Sequence, residues 1–443
     1  MGVKGTPLKP VIYVIALCAM LCSSLVNATL LNIQPESVEA EAWTIIDTES
    51  GQVIAEHNSH VQRAPASLTK MMVAYITLKE IQAGRLNPQE ILTATHVVDL
   101  VQPDESQMHL KPGEKISVDE LLAALIVMSA NDGALLLAEH ISGNVPAFVE
   151  KMNQEAKNLG MKDTHFQNPP GITMPQHYSS AADLALLSQA LVNETPQYLH
   201  YSKMPSFSYG QIFHHATNLL LARDPSVDGL KTGFTKAAGY NLALTANRPT
   251  QEITHPERRL VVVVLGTKSA HKRADIAHRL LNLAYTYTRN QAITKANQHL
   301  ADLPVSKSTT VWYPLAPQDA KVATLALYPH AQPIDLRQFN QATQRIELTD
   351  EAGHIQTIEP LVQSKIKLKF ELKQHQLVAP ISKVMPLALI HVYQDNRLIQ
   401  SIPIDEDVQL KEATMWQQVV LWFEGLLSLI YGESQDPRTY PLR

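Results

Sequence analysis

Short β-prone segments stand on both sides of a long helical stretch, and this arrangement restricts the folds that the chain can adopt. Near the start, Ala42–Asp47 and Gln52–Ala55 flank a turn at Gly51, which is the pattern of a β-hairpin. Residues 241–246 and 260–265 are also β-prone, and the second of these segments is apolar throughout, as in a central strand. The sequence therefore predicts one α/β unit in which the strands from its two ends share a sheet.

Chain length and charge narrow the class of protein. The chain has 443 residues, which is too long for one ordinary hydrophobic core and predicts two or three domains. Its formal net charge is −5, and it contains no run of lysine and arginine. Because nucleic-acid-binding surfaces are strongly basic, this balance argues against nucleic acid as a partner.

The N-terminal segment 1–28 has the pattern of a secretory signal peptide. Lys4 and Lys9 precede the apolar run 11–21, and the Val-Asn-Ala sequence at 26–28 places small residues where a signal peptidase cuts. We therefore predict that the signal peptide is removed and that the mature protein is exported.

Both cysteines of the chain, Cys18 and Cys22, fall inside this segment. A lipid-modified cysteine normally follows a small residue, whereas Cys22 follows Leu21, so an ordinary signal peptide is favoured over a lipoprotein signal. The mature chain then depends on no disulfide. An exported protein of this kind fits the bacterial periplasm, where disulfides are permitted but not required.

A serine and a lysine three residues apart stand near the start of a predicted helix. Ser67 and Lys70 follow Pro65, and Gly84 supplies a C-terminal stop for the helix. Residues at i and i+3 share a helix face, so Lys70 can reach the Ser67 hydroxyl and act as its base. The same spacing occurs at positions 269 and 272 and at positions 364 and 367, so spacing alone does not identify a site.

A second candidate group lies between two predicted helices. Ser117 and Glu120 form a capping box that begins an apolar helix over 121–128, and Ser129-Ala-Asn131 follows the end of this helix. The helix is apolar almost all round and is expected to be buried, where polar side chains need partners. Another Ser-x-Asn sequence, at 142–144, closes a helix and is typical of an ordinary C-terminal cap.

Three motifs occur in order along the chain: Ser67-Leu-Thr-Lys70, Ser129-Ala-Asn131 and Lys231-Thr-Gly233. Their order and spacing resemble the motifs of penicillin-binding proteins and serine β-lactamases. The flanking sequences, at 65–72, 109–113, 164–166, 227–230 and 238–241, are similar to those of low-molecular-mass penicillin-binding proteins, the serine-type D-alanyl-D-alanine carboxypeptidases. The resemblance covers nearly the entire chain. It implies an α/β (α+β) catalytic domain of the β-lactamase/transpeptidase type over 29–290.

The resemblance also implies catalytic roles. Ser67 would attack the carbonyl between two D-alanines of a peptidoglycan stem peptide and form an acyl-enzyme, with Lys70 as its base. Ser129 would pass a proton to the leaving amine, and Asn131 would hold the substrate amide or the Lys70 ammonium. Lys231 would help to keep Lys70 neutral and would attract an anionic substrate.

The strand that carries the third motif is expected to bind the substrate. Thr232 and Gly233 complete the motif, and the backbone N–H groups of Ser67 and of either Phe234 or Thr235 would form an oxyanion hole.

The resemblance implies that Thr235 and Arg273, which match family positions, recognise the substrate's free carboxylate; an arginine suits this role because its fork can bind both carboxylate oxygens. The alternative interpretation is that Arg273 is a solvent-exposed residue at the start of a helix, without a role in binding. The chain departs from the family pattern at Phe234, where histidine is frequent, and at Ala130, where glycine is common. Neither change removes a side chain with a catalytic role.

Other functions are weighed against the carboxypeptidase. Class A β-lactamases use a glutamate after the second motif for deacylation, and the matching stretch 165–171 contains none, which disfavours rapid β-lactam hydrolysis. A non-catalytic scaffold is disfavoured because every catalytic side chain is present. D,D-endopeptidase activity on peptidoglycan cross-links stays an alternative, since it cuts a similar bond. β-Lactam antibiotics are expected to acylate the enzyme.

Cofactor chemistry is not expected. The 18 histidines of the chain form no His-Glu-x-x-His motif, and the adjacent pair His214 and His215 is not a metal-binding pattern. The sequence also has no glycine-rich phosphate loop. We therefore expect neither a metal nor another cofactor.

The composition changes beyond Thr288. Prolines recur, and short β-prone runs such as the alternating segment 365–372 predict a small all-β domain over 297–403. This domain carries no recognisable chemistry. It is expected to space the catalytic domain from the membrane, with a partner-binding surface as the alternative.

An amphipathic helix is predicted over 408–432. Gln417, Glu424 and Ser428 share one side, and its aromatic residues suit the boundary between water and lipid. The apolar part is marginal in length for crossing a bilayer, so an in-plane anchor is favoured over a spanning helix or a helix buried in the protein. The mature enzyme is expected on the outer face of the inner membrane, and the tail 433–443 has no assigned role.

Overall fold

The computed structural model describes residues 29–250, 256–350, 352–362, 365–420 and 422–423. The α-helices are α1 (Lys70–Gln82), α2 (Val118–Ala123), α3 (Asn131–Ser142), α4 (Val145–Asn158), α5 (Ala181–Asn193), α6 (Tyr198–Ser202) and α7 (Ala270–Tyr287). The strands of the N-terminal unit are β1 (Ala42–Asp47), β2 (Val53–His57), β3 (Ile91–Thr93), β4 (Lys115–Ser117), β5 (Ser206–Tyr209), β6 (Ile212–His215), β7 (Val227–Thr235), β8 (Gly239–Pro249) and β9 (Glu257–Thr267). Short 3₁₀ turns occur at Pro35–Ser37, Ala66–Thr69, His96–Leu100 and Leu336–Gln338.

A five-stranded antiparallel sheet forms the centre of the N-terminal unit, in the order β2-β1-β9-β8-β7. β1 pairs with β9 along its whole length, from Ala42 opposite Leu265 to Asp47 opposite Leu260. β9 lies between β1 and β8 and is covered on both faces, which explains its run of valines. The prediction that the strands from both ends of this region share one sheet is confirmed.

Two hydrophobic clusters cover the two faces of this sheet. Val261 and Val263 of β9 belong to the cluster that contains α1 and its neighbouring helices, whereas Val262 and Val264 belong to the cluster that contains α7. Successive side chains of a strand point to opposite faces, so one apolar strand serves both clusters. This arrangement confirms the predicted α/β class.

The predicted helix 121–128 has two parts. α2 begins at the predicted capping box, in which the Ser117 and Glu120 side chains each accept the other residue's backbone N–H. It then widens into a π-helical turn at Ala124–Met128, which ends at Ser129 in a left-handed conformation with φ of 61°. The left-handed residue redirects the chain, and α3 begins two residues later at Asn131.

The C-terminal part consists of short strands and one long hairpin. Its strands are β10 (Thr288–Ala292), β11 (Ala301–Ser306), β12 (Trp312–Leu315), β13 (Val322–Ala326), β14 (Phe339–Asn340), β15 (Arg345–Thr349), β16 (Ile355–Ile358), β17 (Ile366–Leu372), β18 (Leu377–Val378), β19 (Ile381–Gln394) and β20 (Arg397–Leu410). β19 and β20 pair from Gln394 opposite Arg397 to Ile381 opposite Leu410.

The end of β20 corrects the sequence analysis. The strand extends past residue 403, so the predicted start of the amphipathic helix at 408 is wrong. Val408 and Leu410 are buried while Asp407 and Gln409 are exposed, and this alternation continues the strand pattern to the end of the hairpin. The described helical residues at this end of the chain are 415–420 and 422–423.

The C-terminal strands pack directly on the N-terminal unit. Their buried side chains join the same hydrophobic cluster as α7 and the outer face of the sheet. Polar contacts cross the same boundary: the Ser50 hydroxyl lies 2.6 Å from that of Thr324, and Gln400 Nε2 donates to the Ser50 carbonyl at 2.7 Å. The two parts are therefore joined by an extended packed surface.

Several predicted segments lie wholly or partly outside the described residues. These are the signal peptide 1–28, the tail 433–443 and, within the proposed anchor helix, residues 421 and 424–432. In the part of the chain that the structure describes, no helix has both the length and the apolar character needed to cross a membrane.

Candidate active site

Ser67 lies in the 3₁₀ turn that leads into α1. The Lys70 side chain reaches back along the same face, and its Nζ donates to Ser67 Oγ at 3.2 Å. Ser67 is partly exposed, whereas Lys70 is 1% exposed. The structure therefore brings together the serine and the lysine that the sequence spacing placed on one face, with the hydroxyl towards solvent and the amine inside the protein.

The surroundings of Lys70 favour its neutral form. Burial lowers the pKa of Lys70 well below its usual value, and the positive charge of Lys231 lowers it further. The charges of Glu105 and Asp132 act in the opposite direction. Lys70 Nζ also donates to the Pro170 carbonyl at 2.6 Å. A buried lysine held in this way can accept a proton from a neighbouring hydroxyl.

Lys231 lies on the edge strand β7 and is also buried. Burial, with a smaller contribution from the charge of Arg273, lowers the pKa of Lys231 to about 7. Lys231 Nζ donates to the Thr232 carbonyl at 3.0 Å. The hydrogen bonds that Lys70 and Lys231 donate thus run to neutral acceptors, which do not compensate a full positive charge. The site is therefore suited to an anionic ligand.

Close contact between β7 and the nucleophile turn depends on Gly233. A Cβ at Gly233 would lie 3.0 Å from Ser67 N and 3.1 Å from the Pro65 carbonyl oxygen. From the neighbouring strand, Asn241 Nδ2 donates to the Ala64 carbonyl at 3.1 Å and to the Pro65 carbonyl at 3.3 Å. These contacts fix the distance between the Ser67 backbone and the strand that carries the third motif.

A loop over 165–178 supports the other side of this turn. Gly171 has φ of +85°, and a Cβ there would lie 2.1 Å from the Ala66 carbonyl oxygen. His177 lies in the same loop, 2.9 Å from the Thr69 hydroxyl through Nε2, and its Nδ1 accepts the Gln167 N–H at 3.0 Å. Because burial lowers the pKa of His177 to about 4, this histidine is a neutral structural residue.

Ser129 and Asn131 follow the π-helical turn. The Ser129 hydroxyl is buried and has no hydrogen-bond partner among the described residues. An unpaired buried hydroxyl costs about 1–3 kcal/mol, so Ser129 has the property of a group whose partner is a substrate or a reacting atom. Asn131 is the first residue of α3, and its Nδ2 donates to Glu105 Oε2 at 2.6 Å.

Arg273 is buried beneath the end of the site. It is 5% exposed, and burial lowers its pKa to about 10. Its guanidinium donates to the carbonyl oxygens of Asn241 and Thr217 and lies 5.8 Å from the centre of the Tyr240 ring. The alternative of a solvated residue at a helix start is therefore wrong. The fork is held by the protein, and its charge contributes to the positive field around Lys231.

The other residues of the third motif lie at the open end of β7. The Thr232 hydroxyl is hydrogen-bonded to that of Thr217. The Thr235 hydroxyl lies 2.9 Å from the Thr173 hydroxyl and accepts the Ala238 N–H at 3.1 Å. Phe234 is 50% exposed and packs against Tyr240, with ring centres 4.3 Å apart.

Several residues that shape the site were not predicted from the sequence. Glu105 and Asp132 influence the charge of Lys70, Thr217 contacts both Thr232 and Arg273, and Pro170 supplies a carbonyl to Lys70. Asp132 directly follows the second motif, which was a usable signal. The others stand in loops, and their positions depend on backbone paths that no local pattern specifies.

The described residues contain no group of three or more His, Cys, Asp or Glu side chains arranged to hold a metal ion. The motif side chains that the structure brings together are those of Ser67, Lys70, Lys231, Ser129 and Asn131. Such a set can perform nucleophilic substitution at a carbonyl, with a neutral lysine as base and buried positive charge for anion binding.

Comparisons with known proteins show which family the chain is similar to. A profile of the family described as D-alanyl-D-alanine carboxypeptidase matches residues 29–269. The chain is 31% identical over 396 residues to D-alanyl-D-alanine carboxypeptidase DacD of Salmonella typhimurium, covering 88% of this chain and 91% of that protein.

Solved structures are similar in fold. Penicillin binding protein 5 from Haemophilus influenzae matches with a TM-score of 0.67 and 26% identity, over 86% of this chain and all of that one. Penicillin-binding protein D2 from Listeria monocytogenes, in its cefotaxime-bound form, matches with a TM-score of 0.50 and 30% identity over 56% of this chain and 98% of that one.

The contact between Gly171 and Ala66 gives a testable prediction. Gly171→Ala should lower the free energy of unfolding by about 1–3 kcal/mol more than Gly160→Ala, because the added methyl group overpacks against the Ala66 carbonyl. Gly160 is the matched control: its φ of +75° imposes similar backbone strain, but a Cβ there meets nothing within 4 Å. Chemical denaturation of both variants measures the difference, and equal losses would show that the 165–178 loop does not support the nucleophile turn sterically.

Proposed function

The chain belongs to the D-alanyl-D-alanine carboxypeptidase family, and we propose that it removes the terminal D-alanine from peptidoglycan pentapeptide stems with Ser67 as its nucleophile. The observation that carries this assignment is the pairing of Ser67 Oγ with the buried Lys70 Nζ at 3.2 Å. A hydroxyl at this distance from a lysine with a lowered pKa can lose its proton as it attacks.

The first half of the reaction forms an acyl-enzyme. Neutral Lys70 takes the Ser67 proton while Ser67 Oγ attacks the carbonyl between the two D-alanines. The oxyanion is held by the backbone N–H of Ser67 and that of Phe234 or Thr235, which the close approach of Gly233 brings to the nucleophile turn. Collapse of this intermediate breaks the peptide bond. The leaving D-alanine amine takes the proton that Lys70 accepted from Ser67, which passes through the unpaired Ser129 hydroxyl.

The second half releases the shortened stem. A water molecule gives a proton to Lys70 as it attacks the acyl carbonyl, and Ser67 recovers its hydroxyl as the ester bond breaks. Asn131 holds the substrate amide or the Lys70 ammonium through both steps. The net change is hydrolysis of one D-alanyl-D-alanine bond, and the residues that act are regenerated.

The terminal carboxylate of the substrate distinguishes this reaction from endopeptidase cleavage. Lys231 and Arg273 are buried basic side chains at the end of the site, Thr232 follows Lys231 on β7, and Thr235 lies farther along the same strand. The Arg273 guanidinium donates its hydrogen bonds to the backbone carbonyls of Asn241 and Thr217. We therefore assign to Arg273 mainly a positive charge that attracts the substrate carboxylate, and a structural role in holding β8 and the backbone at Thr217. A free carboxylate next to the bond that is cut gains from this field, whereas a neutral group in the same place does not.

The proposed location is the periplasm, at the outer face of the inner membrane. The N-terminal segment supports export, and the described helical residues near the C-terminus expose large apolar side chains, among them Trp416, Trp422 and Phe423. Such side chains suit the interfacial region of a bilayer. The C-terminal strands share a packed cluster with the catalytic unit and would act as a stiff spacer between it and the membrane.

The nucleophile assignment is tested by acylation with penicillin. Because β-lactams mimic the D-alanyl-D-alanine end, penicillin should form a stable adduct on Ser67, and Ser67→Ala should abolish labelling without loss of fold. Peptide mass spectrometry locates the adduct, and circular dichroism checks the variant. An adduct on another serine, such as Ser269 of the second Ser-x-x-Lys sequence, would contradict the assignment.

Analysis of the reaction products distinguishes a carboxypeptidase from an endopeptidase. Purified pentapeptide muropeptides should lose one D-alanine to the wild type and remain unchanged with Ser67→Ala. Cleavage of cross-linked dimers at a rate that rivals the pentapeptide would assign the enzyme to the endopeptidases instead.

The anchor is tested by truncation. Deleting residues from Glu412 onward should move the mature enzyme into the soluble periplasmic fraction while its activity on soluble peptides stays nearly unchanged, because the deleted segment follows β20. Membrane fractionation and a peptide assay measure the two properties. If the truncated enzyme stays on membranes, another part of the chain binds lipid and the proposed anchor is wrong.

A further inference from the structure

Glu105 is a carboxylate of the site that none of the three motifs contains. It lies in the loop between the 3₁₀ turn His96–Leu100 and β4, and its Oε2 accepts the Asn131 Nδ2 hydrogen bond at 2.6 Å. We propose that Glu105 is a positioning residue that fixes the orientation of the Asn131 amide and places negative charge beside the Lys70 base. This inference rests on the proposed acyl-transfer function and assigns a residue that tunes it.

The loop that carries Glu105 is clamped to the start of α3. The Asn131 backbone N–H donates to the Ser106 carbonyl at 2.8 Å. The Asp132 carboxylate, which is 1% exposed, accepts the N–H groups of Met108 at 3.1 Å and of Leu110 at 3.0 Å. The helix turn that carries Asn131 therefore also holds the loop that carries Glu105. The contact between Glu105 and Asn131 joins two segments that are already bonded to each other.

The chemistry of the contact sets the direction of the Asn131 side chain. An ionised carboxylate only accepts hydrogen bonds, whereas the two ends of an asparagine amide are a donor and an acceptor. The Glu105 carboxylate therefore selects Nδ2, since the opposite orientation would place Oδ1 against negative charge. The Asn131 oxygen is left to accept an N–H group, either from the substrate amide or from the Lys70 ammonium. This orientation serves both roles proposed for Asn131, if the substrate amide is held through its N–H group.

The charge of Glu105 acts on the base itself. Burial dominates the lowered pKa of Lys70, Lys231 lowers it further, and Glu105 and Asp132 partly offset both effects. Asp132 is buried and accepts three backbone N–H groups, from Met108, Leu110 and Gly133, whereas Glu105 is partly exposed and bonded to one side-chain amide. Glu105 can therefore be changed with less damage to the fold. Removing its charge lowers the pKa of Lys70, so the acidic limb of the activity profile moves to lower pH.

Two substitutions separate orientation from charge. Glu105→Gln keeps an oxygen that can accept from Asn131 Nδ2 but removes the charge. Glu105→Ala removes both. We expect Glu105→Ala to lower kcat/KM on pentapeptide by about tenfold or more, since a hydrogen bond to a charged group has that effect when its partner is left unpaired. Glu105→Gln, whose amide oxygen can still accept from Asn131 Nδ2, should lower kcat/KM at the pH optimum by less than Glu105→Ala does, and both variants should shift the acidic limb to lower pH.

The control is Asp104→Asn, which removes the exposed carboxylate next to Glu105 in the same loop. It should leave both kcat/KM and the acidic limb unchanged. Thermal unfolding of all variants shows whether a substitution destabilises the loop that carries Asp104 and Glu105. In the background of Asn131→Ala, Glu105→Ala should have little further effect on kcat/KM, because the two residues act through one contact.

The outcomes distinguish this inference from the proposed function. Absence of penicillin labelling at Ser67 in the wild type would contradict the function itself. With an active wild type, equal losses in Glu105→Gln and Glu105→Ala would overturn the orientation role, and an unchanged acidic limb in both would overturn the charge role. A limb that moves equally in Asp104→Asn would assign the effect to general surface charge.

Discussion

Burial of the Lys70 amine is the constraint on which the site depends. A lysine in contact with water carries a proton at neutral pH and cannot act as a base, so the protein must exclude water from Nζ without giving it a full negative partner. The structure meets this requirement with the Ser67 hydroxyl and the Pro170 carbonyl as neutral hydrogen-bond acceptors, and with the positive charge of the neighbouring buried Lys231, which lowers the pKa of Lys70 further. The same positive field that keeps Lys70 neutral attracts the carboxylate of a substrate.

The rest of the catalytic unit holds three segments around that amine. The sheet supplies β7, whose Gly233 lies against the nucleophile turn, and the 165–178 loop supports the turn from the other side through Gly171. The π-helical turn delivers Ser129 in a left-handed conformation, with its hydroxyl buried and unpaired among the described residues. Each of these features costs conformational freedom or a hydrogen bond, and each lies within the site. This is where strain and unsatisfied groups are expected in an enzyme.

Local patterns in the sequence predicted the framework well and the loops poorly. The hairpin at β1 and β2, the apolar β9 and the capping box at Ser117 follow from strand periodicity and helix capping, and the structure confirms them. Glu105 was missed because an exposed-looking glutamate in a polar loop has no local signal, and its position arises from clamping to α3. The predicted helix at 408 was wrong because β20 continues to Leu410 in its hairpin with β19, a pairing that is not visible within the segment itself.

The central claim is that Lys70 is neutral in the folded enzyme, and direct titration of its amine tests it. Protein labelled with ¹³C at the lysine Cε positions, with the Lys70 signal assigned by its absence from Lys70→Arg, allows the titration of Lys70 to be followed by NMR. We predict a midpoint far below that of exposed lysines, and a rise of this midpoint in Lys231→Ala, because removal of the neighbouring positive charge favours the ammonium. A Lys70 signal that titrates with the surface lysines would contradict the account.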